Sequence, residues 1–176
     1  MDKALFALTL AWTGARISEV LALTPASFQI EQQLITFRTL KRRCHSMREV
    51  PIPAHLMTAL DAHFGLTKVQ TDDAHMYCRL WPWHRVTAWR TIKVAMGKAR
   101  IIGPHSTPRG LRHGFGVGAL QAHVPLNLVQ RWLGHARIDT TAIYADASGP
   151  EELAFASRLW EGRHRGQDGQ LPDLER

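Results

Sequence analysis

The spacing of apolar residues predicts several helices in the first part of the chain. Apolar side chains recur every three or four positions, which places them on one face of a helix. Thr13-Gly14 interrupts this pattern, and Thr24-Pro25 ends its second stretch because the residue before a proline avoids helical backbone. The helices predicted in this part cover residues 2–12, 16–23, 54–64 and 84–101.

A stretch with roughly alternating apolar and polar residues predicts a small antiparallel sheet between the second and third helices. LITFR, within residues 28–38, and REVPIP, residues 48–53, are short segments typical of strands. The segment between them, TLKRRCHSM, is polar and basic, as expected for the tip of a hairpin. Residues 65–83 have mixed signals and are predicted to form a connecting loop.

Prolines and glycines divide the next part of the chain into two further helices. Thr107-Pro108 predicts a helix start, since proline is well accommodated in the first turn. Pro125 opens a second helix, PLNLVQRWL, and Gly134 is the glycine expected just after a helix end.

The C-terminal residues predict two last helices and a tail. TTAIYA can form a short helix, and residues 151–160 form an amphipathic one. Residues 162–176 are polar and rich in glycine, and are predicted to be disordered. The whole pattern predicts one mostly α domain over residues 1–161 with a small antiparallel β-sheet, an α+β class.

The charge balance indicates a polyanionic partner. Lysine and arginine number 22 against 15 acidic residues, which gives a net charge of +7. Such a basic chain favours nucleic acid first and an anionic membrane second. No apolar run is long enough to cross a membrane and no signal peptide is recognisable, so a cytoplasmic protein is expected.

Cysteine and histidine patterns do not predict a metal site. Cys44 and Cys78 lie far apart without ligand spacing, and are expected to be reduced thiols. The ten histidines are scattered along the chain and none forms a close pair. We therefore expect neither a metal nor another cofactor.

Three segments concentrate residue types that suit chemistry on a phosphodiester. They are TGARISEVLAL at residues 13–23, TPRGLRHGF at 107–115 and LGHARIDTTAIY at 133–144. The third places a tyrosine nine residues after a histidine. The candidate residues in these segments are Arg16, Arg109, Arg112, His113, His135 and Tyr144.

The chemistry of strand cleavage explains why these types would occur together. A tyrosine hydroxyl has a pKa of about 10, so it needs cationic partners to attack near neutral pH. The attack spreads negative charge over the non-bridging phosphate oxygens, which the planar, permanently charged arginine side chain binds two at a time. One preorganised donor can lower the barrier by roughly 3 kcal/mol. Arginines and a histidine can thus replace a metal ion.

In this order the three segments resemble the tyrosine recombinase (phage integrase) family. The catalytic domain of that family carries TGxRxSExLxL, then HxLRH, then LGHxxxxxTxxxY, and the resemblance spans residues 13–144. It implies the family's DNA breaking-rejoining fold. It also implies a site-specific recombinase or integrase, of a kind found on mobile elements, that cleaves and rejoins DNA without a metal.

The resemblance also implies a role for each candidate residue. Tyr144 is the nucleophile and forms a 3′-phosphotyrosyl link. Arg16 and Arg112 clamp the phosphate, and His135 donates a hydrogen bond to it. Lys41, at the predicted hairpin tip, is the general acid for the 5′-oxygen.

Further residues are expected to support this site. Glu19 lies on the helix face of Arg16 and is expected to position that arginine. His113 follows Arg112, as in the family, and either supports the site or packs. The residues predicted to contact DNA are Arg42, Arg43 and Arg48.

Two features depart from the family pattern. Arg109 stands where the family usually has histidine, and arginine can donate to phosphate but cannot accept a proton. Activity is therefore expected to be slower, or lost with DNA binding kept. The first arginine segment begins soon after Met1, so the family's N-terminal DNA-clamp domain is expected to be absent and DNA binding to be weak.

The sequence leaves several alternatives open. The chain is either a recombinase or a catalytically weak or inactive DNA-binding relative that acts as a regulator. A helix-turn-helix repressor would use PLNLVQRWLGH to read DNA, but it leaves the Arg16 segment unexplained. Expected partners are double-stranded DNA and other protomers in a tetrameric synapse. The helix at 151–160 either docks onto a neighbouring protomer or packs on its own domain.

Overall fold

A computed structural model describes residues 1–38, 47–71 and 74–134 of the chain. In this structure the first helix ends where the sequence predicts. Helix α1 spans Asp2–Thr13, and Gly14 ends it in the left-handed conformation with φ of +59°. Its buried face carries Leu5, Phe6 and Leu10, as the helical spacing of these apolar residues predicts.

The second helix is shorter than its pattern predicts. Helix α2 covers only Ile17–Val20, and Leu21 and Ala22 form a turn. Pro25 starts a single 3₁₀ turn, Pro25–Ser27, preceded by Thr24 in an extended conformation with ψ of 165°. Proline disfavours helical backbone at the residue before it, so no α-helix can continue through Thr24.

The predicted hairpin is confirmed, and it belongs to a sheet of three strands. These are β1 (Phe28–Gln29), β2 (Leu34–Arg38) and β3 (Met47–Pro51), antiparallel in the order β1-β2-β3. Strand β1 was missed because two residues are too few to show a periodic pattern. The predicted hairpin tip, residues 39–46, lies outside the described residues.

Within the described ranges, five further helices follow the sheet. The helices predicted at 54–64, at 84–101, from Pro108 and from Pro125 are all present, each within a few residues of its expected bounds. One short helix also lies in the segment predicted to be a loop. Their bounds are α3 Ala54–Phe64, α4 Leu66–Val69, α5 Arg85–Lys98, α6 Pro108–Gln121 and α7 Leu126–Leu133.

The hydrophobic core forms around α1, which contacts α3, α5 and α6. Trp81 is fully buried there, with ring centroids 5.3 Å from Phe6 and 5.2 Å from Phe64 in edge-to-face contacts. Such pairs favour this geometry because the positive edge of one ring faces the negative face of the other.

The helices and the sheet meet at one corner of the domain. Helix α6 packs against α1 and α7, and α7 also contacts β3. This packing brings together the end of α1, the start of α2, the middle of α6 and the end of α7. No helix within the described ranges is long and apolar enough to cross a membrane.

Candidate active site

Arg16 lies at the start of α2 and is held by Glu19. Its main-chain N–H donates to Oε2 of Glu19 at 2.8 Å, and its Nη1 donates to Oε1 at 2.9 Å. The main-chain bond is the return half of a capping box, in which the third helical residue satisfies the N-cap amide. The Arg16 side chain remains 31% exposed, so it is oriented by the protein and still reachable from solvent.

Glu19 is a buried carboxylate between two arginines. Its residue exposure is only 2%, and Nη2 of Arg48 lies 2.6 Å from its Oε2. Burial raises the pKa of Glu19, but the hydrogen bond and charge of Arg48, together with the Arg16 amide and charge, outweigh it and hold the pKa below its usual value. The group is therefore a permanent anion near neutral pH.

The prediction that Arg48 contacts DNA is wrong in this structure. Arg48 is 5% exposed, and its Nε donates to the carbonyl of Trp132 at 2.7 Å. The other end of its guanidinium binds Glu19, and its charge lies over the Phe37 ring, 5.0 Å from the centroid. A side chain whose polar atoms are used and buried is not available to a phosphate backbone.

A signal for this burial was present in the sequence. Arg48 pairs with Phe37 across β2 and β3, and it shares its side of β3 with Val50. Because successive strand residues point to opposite faces, Arg48 occupies an inward position. An arginine at an inward position of a strand requires an acidic or carbonyl partner.

Arg112 is bound to the ends of two helices. Its Nη1 donates to the carbonyl of Gly14 at 2.8 Å, and its Nη2 donates to the carbonyl of Leu133 at 2.7 Å. These carbonyls follow the last turn of α1 and end α7, where helices carry partial negative charge. The second and third sequence segments thus meet the first through one guanidinium.

Glycine at position 14 permits this close packing. Its φ of +59° is in the left-handed region that glycine adopts without steric cost, and a Cβ there would lie 2.9 Å from Cδ2 of Leu133 and also overlap the Phe115 ring. Phe115 follows Arg112 on α6, so the small residue lets α6 and the end of α7 approach the turn that leads to Arg16.

Arg109 and His113 lie on the exposed part of α6. The His113 ring stacks on that of His105, with centroids 6.4 Å apart and planes inclined by 21°. A Cβ at Gly110 would overlap the carbonyl of His105, so the first turn of α6 packs tightly on the preceding loop. The structure therefore gives His113 a contact with His105.

Several predicted site residues lie outside the described part of the chain. They are Lys41, Arg42, Arg43, His135 and Tyr144, together with the helix at 151–160 and the tail at 162–176. The residue before His135, Gly134, is described and ends α7 with φ of +65°. The structure thus fixes the point from which the third segment continues, beside Arg112 and Arg48.

Comparison with known proteins identifies the family to which this chain belongs. The sequence pattern of the Phage integrase family matches residues 1–150, and the chain belongs to this family. The predicted resemblance and the α+β fold class are confirmed. Among the described residues, no group of three or more histidine, cysteine, aspartate or glutamate side chains is arranged to hold a metal ion.

Proteins similar to this chain include tyrosine recombinases. Tyrosine recombinase XerD of Corynebacterium glutamicum is 32% identical over 171 residues, which are 93% of this chain and 52% of the relative. The crystal structure of XerA recombinase superposes with a TM-score of 0.67 at 26% identity, over 95% of this chain and 60% of that one.

A second similar structure shares the fold. The XerH site-specific recombinase bound to its difH substrate has a TM-score of 0.70 at 22% identity, covering 90% of this chain and 46% of that one. The chain spans about half the length of the curated relative described above.

Proposed function

We propose that this chain cleaves and rejoins DNA strands as a site-specific recombinase or integrase. One observation carries the proposal. Arg112 bonds to the carbonyls of Gly14 and Leu133, 98 and 21 residues away in sequence, and so joins the three segments that hold the candidate phosphate ligands and nucleophile. An arginine held at this junction with its guanidinium already oriented is suited to binding a phosphate.

The two arginines are preorganised for a phosphate. Arg112 is fixed by two helix-end carbonyls, and Arg16 by the permanently charged Glu19. Donors that are already oriented stabilise developing negative charge without the cost of reorganising during the reaction. In this proposal both guanidinium groups bind the non-bridging oxygens of the scissile phosphate, and His135, two residues beyond Leu133, adds a third donor.

The covalent step uses residues beyond the described ranges. Oη of Tyr144 bonds to phosphorus, the bond to the 5′-oxygen breaks, and Lys41 gives that oxygen a proton. The proton of the tyrosine hydroxyl passes to solvent, since Arg109 does not accept protons. Rejoining reverses this step when a 5′-hydroxyl attacks the phosphotyrosyl link.

The partners in this proposal are double-stranded DNA and further protomers. The XerH structure of the same fold is a complex with its DNA substrate, and the net charge of +7 favours a DNA partner. The segment at 151–160 is proposed to dock onto a neighbouring protomer in a tetrameric synapse. We also propose that the catalytic domain lies within residues 1–161 and that the protein acts in the prokaryotic cytoplasm.

A second function is favoured by one residue. Arg109 occupies the position of the family histidine, and it is exposed on the first turn of α6. A chain with this substitution could bind DNA as a regulator without cleaving it. The two functions differ in whether a covalent link to DNA ever forms.

A denaturant-resistant adduct assay tests the proposal. The chain is incubated in EDTA with supercoiled DNA of the host or element that carries its gene, and protein-linked DNA is detected in SDS. We expect an adduct that Tyr144→Phe abolishes while DNA affinity stays the same. Arg109→His run beside it measures what the substitution costs. DNA binding without any adduct would favour the regulator.

A further inference from the structure

One buried arginine connects the segments of the candidate site. Arg48 extends from β3, and its Nη1 and Nη2 donate to the two carboxylate oxygens of Glu19 at 3.2 and 2.6 Å. Its Nε donates to the carbonyl of Trp132 at 2.7 Å. A single guanidinium therefore bonds to α2 and to the end of α7 at the same time.

We infer that Arg48 is a positioning residue for strand cleavage. Through Glu19 it fixes Arg16, and through the Trp132 carbonyl it fixes the end of α7, from which His135 follows. This inference rests on the proposed function, because it assigns Arg48 an effect on a reaction that Arg16 and His135 take part in.

The path from Arg48 to Arg16 runs through one carboxylate. Oε1 of Glu19 accepts from Nη1 of both arginines, at 2.9 Å from Arg16 and 3.2 Å from Arg48. Oε2 accepts from the Arg16 amide and from Nη2 of Arg48. Since both oxygens are shared, a rotation of Glu19 that follows the loss of Arg48 also breaks the bonds that orient Arg16.

The path from Arg48 to His135 runs through the last turn of α7. A Cβ at Gly134 would lie 3.1 Å from Cδ of Arg48, so the aliphatic part of the arginine packs against this glycine. Gly134 has a φ of +65° and sets the direction in which the chain leaves the helix. The charge of Arg48 also complements the negative end of the helix at Trp132.

The variant Arg48→Lys tests positioning separately from charge. A lysine keeps the positive charge beside Glu19, but its single ammonium lacks the planar fork that reaches three acceptor atoms on two segments. Displacing a reacting group by about 1 Å can slow a reaction on the order of 100-fold. We expect Arg48→Lys to fold and to bind DNA, and to cleave about 10- to 100-fold more slowly.

The rate of cleavage at saturating DNA is the measurement that detects positioning. Single-turnover adduct formation is followed on a nicked duplex that traps the phosphotyrosyl product, well below the unfolding temperature of each variant. DNA affinity is measured in parallel. Leu60→Ala is the matched control, because it removes a fully buried side chain of α3 that none of these hydrogen bonds involve.

A neutral substrate distinguishes positioning from general loss of structure. A methyl group in place of one non-bridging oxygen at the scissile phosphate removes the charge that Arg16 and His135 bind. The defect of Arg48→Lys should shrink at least about tenfold on this substrate, whereas the effect of Leu60→Ala should be the same on both substrates.

Two results would overturn the inference separately from the proposed function. A wild-type cleavage rate for Arg48→Lys on normal DNA would overturn the positioning role, and so would a defect of equal size on both substrates. Adduct formation by the wild-type chain would still support the proposed function. A wild-type chain that forms no adduct overturns the proposed function, and the positioning role falls with it.

Discussion

At the scale of single residues, Glu19 organises the described part of the site. It is 2% exposed and accepts hydrogen bonds from Arg16 and Arg48 through both oxygens. A buried carboxylate is costly unless its charge is balanced, and here two arginines balance it. The balance shows in a pKa below the usual glutamate value.

The lowered pKa predicts a pH dependence of stability. A glutamate in an unfolded chain has a pKa of about 4.3, and the folded value for Glu19 is lower. Its contribution to stability is therefore complete above the unfolded pKa and is lost as pH falls through the folded pKa. We expect the free energy of unfolding by urea to drop below about pH 4.3, and to drop less in Glu19→Gln.

Glu19→Gln is also expected to lower the free energy of unfolding at neutral pH. Glu19→Gln leaves Arg48 buried without a negative partner, and breaking a buried pair in this way typically costs about 3–5 kcal/mol. Urea unfolding at pH 7 measures this loss. Both expectations would be contradicted if Glu19→Gln were as stable as the wild type at pH 7 and lost as much stability as the wild type at acidic pH.

At the scale of elements, three of the described helices end in left-handed glycines, and two of these glycines have very different surroundings. Gly14 ends α1 with φ of +59° and faces Phe115 and Leu133, whereas Gly65 ends α3 with φ of +62° and has nothing near its Cβ position. The backbone requirement is the same at both ends. Only the first glycine is also required by packing between helices.

This difference predicts unequal effects of alanine. Gly65→Ala should cost about 1–2 kcal/mol of stability, the strain of a left-handed alanine. Gly14→Ala should cost more, because its Cβ must also displace Phe115, and it should slow cleavage by shifting α6 and Arg112. Urea unfolding of the two variants checks the first point and the adduct assay the second. Equal losses of stability would show that packing at Gly14 is loose.

At the scale of the whole molecule, the charge predicts how DNA binding depends on salt. The net charge is +7, and each phosphate that a protein neutralises in duplex DNA contributes about −0.9 to the slope of log affinity against log salt. Fluorescence anisotropy over a range of NaCl concentrations gives this slope. We expect Arg42→Ala to reduce its magnitude by about one, and the buried Arg48→Lys to leave it unchanged. A slope near zero would argue against a phosphate-binding surface.

The sequence by itself determined most of the elements and the family. Helix ends at Gly14 and Gly134 and the start of α6 at Pro108 were predictable, because capping and proline preferences act within a few residues. The three segments with their arginines, histidine and tyrosine predicted the family, since a fixed order of reactive residue types is read directly from the chain.

Only the tertiary structure decided how these segments meet. Arg48 was predicted at the surface but is buried against Glu19, 29 residues away, and Arg112 bonds to Gly14, 98 residues away. Local periodicity reports which face of an element is apolar, and it carries no information on which distant carbonyl or carboxylate will satisfy a buried charge. That pairing is set by the packing of α6 against α1 and α7, and of α7 against β3.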